Sequence, residues 1–168
     1  MKIGIVFGCF IPLHKGHLFL INNAIKDNDK VIIGVCGKDN DRGKDFIPFK
    51  DRITLMQTKY PNHIIVPIDD NKLHLDGSFS MNNWILWGNE LFTNANLNPN
   101  DNNIYTWYMG EPSYKEKLAQ IYPNHNFNVY DRGTLLISGT KIREKLNDNL
   151  QYVDDTFIEY LKTNKKSI

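Results

Sequence analysis

A chain of 168 residues suits one domain with a sizeable core, and 20 Lys plus Arg against 19 Asp plus Glu leave it near neutral at +1, which points to neither nucleic acid nor a membrane surface as partner. Two Cys make no disulfide framework and suit a reducing, cytoplasmic setting. No apolar run approaches membrane-spanning length, and the N-terminus enters a strand pattern directly instead of a leader.

The pattern then alternates along the chain. Strands are read at roughly 2–8, 30–36, 63–68, 104–109 and 126–131, with helices at roughly 16–27, 48–59, 80–94 and 112–121 between them. Helices at roughly 139–147 and 152–163 close the sequence. The alternation predicts an α/β fold, a Rossmann-like doubly wound parallel sheet of about five strands with helices on both faces, with residues 1–168 as a single domain. Ligands of such sheets bind at the carboxyl ends of the strands, at the topological switch point. The stretch from Asn94 to Asn103 reads as a surface loop, and the longer connection from Asp69 to Phe79, with little periodicity, as a candidate substrate loop.

The most telling segment is Gly8-Cys9-Phe10-Ile11-Pro12-Leu13-His14-Lys15-Gly16-His17, directly after the first strand. A strand feeding a glycine-flanked helix start presents free backbone N–H groups and a helix dipole to an anion. His14 and His17 add side-chain donors, so the segment reads as a triphosphate cradle. The same two imidazoles could instead ligate a metal. A metal site usually takes three or four ligands, and no Asp, Glu or second Cys nearby completes one, so no metal ligand is assigned. Lys15 is a possible added cation, although an exposed lysine at a helix start is common.

These residues resemble the nucleotidyltransferase superfamily marked by His-x-Gly-His, with Gly8, Phe10, Pro12, His14, Gly16 and His17 in matching places. A second signature is similar too. Ile137-Ser138-Gly139-Thr140-Lys141-Ile142-Arg143 looks like the element that opens a helix and holds ATP phosphates. Ser138 suits a helix cap, Thr140 offers a hydroxyl, and Arg143 brings a fork of donors one turn on. Within the superfamily, Asp39-Asn40-Asp41-Arg42-Gly43, Glu111-Pro112 and Asp131-Arg132 resemble the nicotinamide mononucleotide (NMN) adenylyltransferase domain of bifunctional bacterial enzymes. The resemblance covers essentially the whole chain. Those proteins continue into a kinase domain with a phosphate-binding Gly-Lys loop, and some begin with a helix-turn-helix domain. Neither pattern is in this sequence, so kinase and repressor activities are not carried over.

The resemblance implies transfer of AMP from ATP to NMN, giving NAD and pyrophosphate. It assigns His14, His17 and Arg143 as catalytic. Gly8, Cys9, Phe10, Gly16, Gly110, Glu111, Ser138 and Thr140 join those three as the ATP site, with Mg²⁺ arriving on the triphosphate. Phe10, Asp39, Arg42, Trp84 and Trp87 are expected at NMN, although a polar turn can also be only a turn, and two Trp on one helical face can equally be core. Indole stacking would favour the positively charged nicotinamide ring. ATP and NMN are thus the expected partners, with a homo-oligomer possible. Other acceptors on the same fold (nicotinate mononucleotide, phosphopantetheine, a cytidylyl-transfer substrate) and a non-catalytic nucleotide sensor are the alternatives.

Overall fold

The computed structural model describes residues 1–37, 46–70, 73, 80–131 and 137–164. Five strands form one parallel sheet: β1 Lys2–Gly8, β2 Lys30–Gly37, β3 Ile64–Asp69, β4 Ile104–Met109 and β5 Asn126–Val129, in the order β3-β2-β1-β4-β5. The helices are α1 Lys15–Asp27, α2 Phe49–Lys59, α3 Met81–Asn94, α4 Pro112–Ile121, α5 Gly139–Glu144 and α6 Asp155–Thr163, with a 3₁₀ helix Asn147–Tyr152 before α6. The chain winds outward through β2 and β3, returns, and winds outward again through β4 and β5. The switch point therefore lies between β1 and β4.

Alternation along the strands divides the core. Ile3 and Ile5 of β1, Ile32 of β2 and Trp107 of β4 face one layer, where Leu91 and Phe92 of α3 and Leu118 of α4 cover them. Val6, Val31, Ile33 and Val35 face the other, against Ile21 and Ala24 of α1, Met56 of α2 and Phe157 and Leu161 of α6. Strands buried on both faces read as continuous apolar runs, which is why the parallel sheet was visible in sequence. The second layer is tied laterally as well. Tyr160 of α6 donates its hydroxyl to Asp51 of α2 at 2.6 Å, and Asp154 pairs with Lys59.

The closing elements differ from expectation. The fifth strand ends at Val129, not 131; the Tyr130 N–H still bonds Met109 O, and the chain then leaves the sheet. The helix expected over 139–147 ends at Glu144. The one expected from 152 starts at Asp155, because Val153 is extended and bridges to His14, and the Asp154 carboxylate caps the first turn at Thr156 N–H. No helix among the described residues is long and apolar enough to cross a membrane.

Where α3 meets the end of α4, a hydroxyl is out of place energetically. The buried Tyr122 hydroxyl has no hydrogen-bond partner among the described residues, and a Cβ added at Gly88 would run into it. Replacing a helical Gly by Ala ordinarily stabilises by about 1 kcal/mol; Gly88→Ala is expected to destabilise instead. Tyr122→Phe removes an unpaired buried group and is expected to raise stability by about 1 kcal/mol, and to make Gly88→Ala tolerable. Urea unfolding of the two single variants and the double variant measures this. A Gly88→Ala chain more stable than its parent would refute the packing described.

Candidate functional site

The carboxyl end of β1 opens the site. Gly8 is the last residue of the strand, and a Cβ there would press on the Phe10 ring and stand 3.6 Å from His17 Nε2. Gly8 thus keeps open the space in front of that nitrogen. Phe10 follows with φ at 54°, a left-handed conformation that costs a residue with a Cβ about 1–2 kcal/mol. Such a cost persists only where surrounding contacts enforce it. Here the ring is fully buried and packs edge-on against the His17 imidazole, with centroids 4.8 Å apart. Phe10 is therefore a wall behind His17.

Helix α1 begins one residue earlier than the sequence suggested, and His14 is its cap. Nδ1 of His14 accepts from Gly16 N–H at 3.1 Å, and Nδ1 of His17 accepts from His14 N–H at 3.3 Å. The rings stack with centroids 3.7 Å apart. With Nδ1 engaged as an acceptor in both, each neutral ring carries its proton on Nε2, as a donor. Burial lowers the His14 pKa to about 4, so it is a neutral donor at physiological pH. Lys15, in the first turn, is exposed.

The second signature meets this loop directly. Arg143 Nη1 donates to Ile11 O at 2.6 Å and Nη2 to Thr140 Oγ1 at 3.3 Å. Gly139 makes the approach possible, since a Cβ there would stand 3.0 Å from both Arg143 Nη1 and Ile11 O. Ile137 O lies 3.9 Å from the corresponding point on Gly16. Ser138 caps α5, accepting from Lys141 N–H at 3.2 Å, which leaves its own O–H to donate. Gly8, Cys9, His14, Gly16, His17, Ser138, Thr140 and Arg143 thus come from two distant stretches of sequence to one region.

Gly110 and Glu111 follow β4, across the switch point from Gly8, and both are half-buried. Asp39 and Arg42 lie outside the described residues. Trp84 and Trp87 are buried, 8% and 7% exposed, in an aromatic cluster. Phe7 and Trp87 have centroids 4.7 Å apart, and Trp84 and Tyr114 5.2 Å apart. The rings meet mostly edge-on or tilted, and the half-buried Tyr114 packs against Trp84.

Sequence reading missed Arg52. It is fully buried in α2 and donates Nη1 to Cys9 O at 2.6 Å and to Cys36 O at 2.8 Å, with Nε on Ile47 O at 3.1 Å. The available signal was its spacing: it lies one turn before Met56, on the apolar face of α2. Asp154 was missed too; its N–H donates to Leu13 O at 3.0 Å.

Residues 5–145 match the cytidylyltransferase-like family. The chain belongs to that family of nucleotidyltransferases. It is 28% identical over 165 residues to the trifunctional NAD biosynthesis/regulator protein NadR of Escherichia coli (strain K12), covering 84% of this chain and 36% of that protein. A crystal structure of NadR protein in complex with NR matches with a TM-score of 0.76 at 29% identity, over 93% of this chain and 44% of that one. A phosphopantetheine adenylyltransferase of Clostridium perfringens (strain SM101 / Type A) is 37% identical over 65 residues, 37% of this chain and 38% of that protein. The matches span less than half the length of each of these relatives.

The buried neutral His14 has a consequence for stability. Unfolded, it titrates near 6.5; folded, near 4. Between those values the unfolded chain binds more protons, so stability falls as pH drops from about 6.5 toward about 4 and is fully present above 6.5. Burial also lowers the His63 and His125 pKa values, so all three share this slope. Linkage gives His14 about 2 kcal/mol of the loss between pH 7 and pH 5. His14→Gln is expected to flatten the pH dependence by that amount in urea titrations at the two pH values. An unchanged slope would show that His14 is not held neutral.

Proposed function

We propose that the chain transfers the AMP moiety of ATP to the 5′-phosphate of NMN, releasing pyrophosphate and forming NAD. The observation that carries this reading is the meeting of the two signatures, with Arg143 on Ile11 O between two Nε2-protonated imidazoles and the start of α5. The likeness to NadR over most of the chain supports NMN as the acceptor.

The acceptor's phosphate is already ionised, so its oxygen needs no general base. It attacks the α-phosphorus in line, a P–O bond forms, and the bond to the β-phosphate oxygen breaks with its electron pair leaving on pyrophosphate. The protein's share is positioning and charge stabilisation. His17 and His14 donate to the α-phosphate and the bridging or β-phosphate oxygens. Arg143, with the Ser138 and Thr140 hydroxyls, holds the leaving phosphates, its planar fork suiting two oxygens at once. Mg²⁺ enters as part of the nucleotide substrate, held by phosphates and water; imidazole N–H and guanidinium groups are donors suited to the anion. On this reading Gly110 and Glu111 serve the nucleoside of ATP, and Trp84 and Trp87 the pyridine nucleotide.

The 65-residue match to a phosphopantetheine adenylyltransferase favours a second reading, with the same transfer to a different phosphate. An assay of pyrophosphate release from ATP with NMN, nicotinate mononucleotide and phosphopantetheine in parallel separates them, and NMN is expected to be the fastest. Removing one such charge-stabilising donor typically costs about 100- to 1,000-fold. His17→Ala is therefore expected to lower kcat by that factor with a much smaller rise in KM. Near-parental turnover would remove His17 from the reaction, and no turnover of the parent with any acceptor would overturn the reading.

A further inference from the structure

β1 and β2 stay paired up to Gly8 and Val35, and then the two chains part. The next carbonyls, Cys9 O and Cys36 O, face the gap between them. Arg52 Nη1 spans that gap, at 2.6 and 2.8 Å. Its Nε is fixed by Ile47 O at the mouth of α2, and its guanidinium carbon lies 5.3 Å from the centre of the Phe49 ring. The absence of a side chain at Gly37 makes this possible, since a Cβ there would collide with Phe49 and stand 2.9 Å from Arg52 Nη2.

The residue immediately after Cys9 is Phe10, whose left-handed backbone sets the path of the loop. A strained residue holds its shape only while the bonds on either side enforce it. On the far side, Ile11 O is held by Arg143; on the near side, Cys9 O is held by Arg52. We propose that Arg52 is a positioning residue: by bridging the Cys9 and Cys36 carbonyls it keeps the loop after β1 in the shape that receives the nucleotide's phosphates. This inference rests on the nucleotidyl-transfer reading above. Arg52 reaches no substrate itself; it acts through the Phe10 backbone and the His17 ring packed on it.

The test compares Arg52→Lys and Arg52→Gln with the parent. Lys keeps the buried charge and the helix but loses the Nε bond to Ile47 O and with it the planar fork that aims Nη1 at both carbonyls, so it is the variant expected to stay folded. ATP affinity is read by calorimetry without any acceptor, at a temperature where circular dichroism shows parent and variant fully folded, because a reversibly unfolded fraction would itself lower the apparent affinity. About tenfold weaker ATP binding is expected for Arg52→Lys, and more for Arg52→Gln, the scale of losing hydrogen bonds from a charged donor. The KM for the acceptor should be little changed, and amide hydrogen exchange at residues 9–17 should rise while that of β1 does not. Equal ATP affinity in parent and Arg52→Lys, with lowered melting temperature alone, would make Arg52 merely structural and overturn the inference. A parent that binds ATP but transfers it to no acceptor would instead overturn the reading of function, leaving the ATP-affinity comparison to judge the loop.

Discussion

A chain that folds around a polyphosphate must keep its own carbonyl oxygens away from it. Every peptide unit carries one, and an oxygen facing a phosphate repels it where an N–H would attract it. In the loop between β1 and α1 three alternate carbonyls are drawn elsewhere: Cys9 O to Arg52 of α2, Ile11 O to Arg143 of α5, and Leu13 O to the N–H of Asp154 ahead of α6. The helix start and the two imidazole Nε2–H groups are left to meet the ligand. The Arg52 tether is a fully buried guanidinium, so positive charge sits behind the loop as well.

That arrangement explains why elements far apart in sequence pack where they do. α6 docks on α2 through Tyr160–Asp51 and Asp154–Lys59, and the same Asp154 holds Leu13 O while Val153 bridges His14. The packing that buries Phe157 and Leu161 thus also sets the position of His14. The aromatic layer on the other face reaches the first loop through Phe7, which packs on Trp84 and Trp87, and through Cys36, whose carbonyl shares Arg52 with Cys9 O.

Legibility followed the range of each interaction. Strands buried on both faces and helices with local caps were readable, because their signals lie within one element: Ser80 before α3, Ser138 before α5, the apolar run of β1. The two signatures were readable because a glycine and two His at a strand end carry their chemistry locally. Arg52 was not, since its meaning lies in carbonyls 43 and 16 residues away. The inward turn of the Phe10 ring was not legible, since it follows from a left-handed backbone that no local signal encodes. The start of α6 was displaced by the bridge of Val153 to His14, which no propensity encodes.

The division of charge inside the site bears on catalysis. A cation at the α-phosphate would grip the ground-state triphosphate as firmly as the transition state, and uniform binding of that kind does not raise turnover. On the proposed reaction His14, buried and neutral, and His17, with Nδ1 committed to the His14 amide, would offer N–H dipoles there instead. In the proposed reaction the full positive charge of Arg143, tethered to Ile11 O and Thr140, serves the other end, where the leaving pyrophosphate accumulates negative charge. On the proposed reaction, the strongest electrostatic partner stands where charge increases most, and the fold fixes it there before substrate arrives.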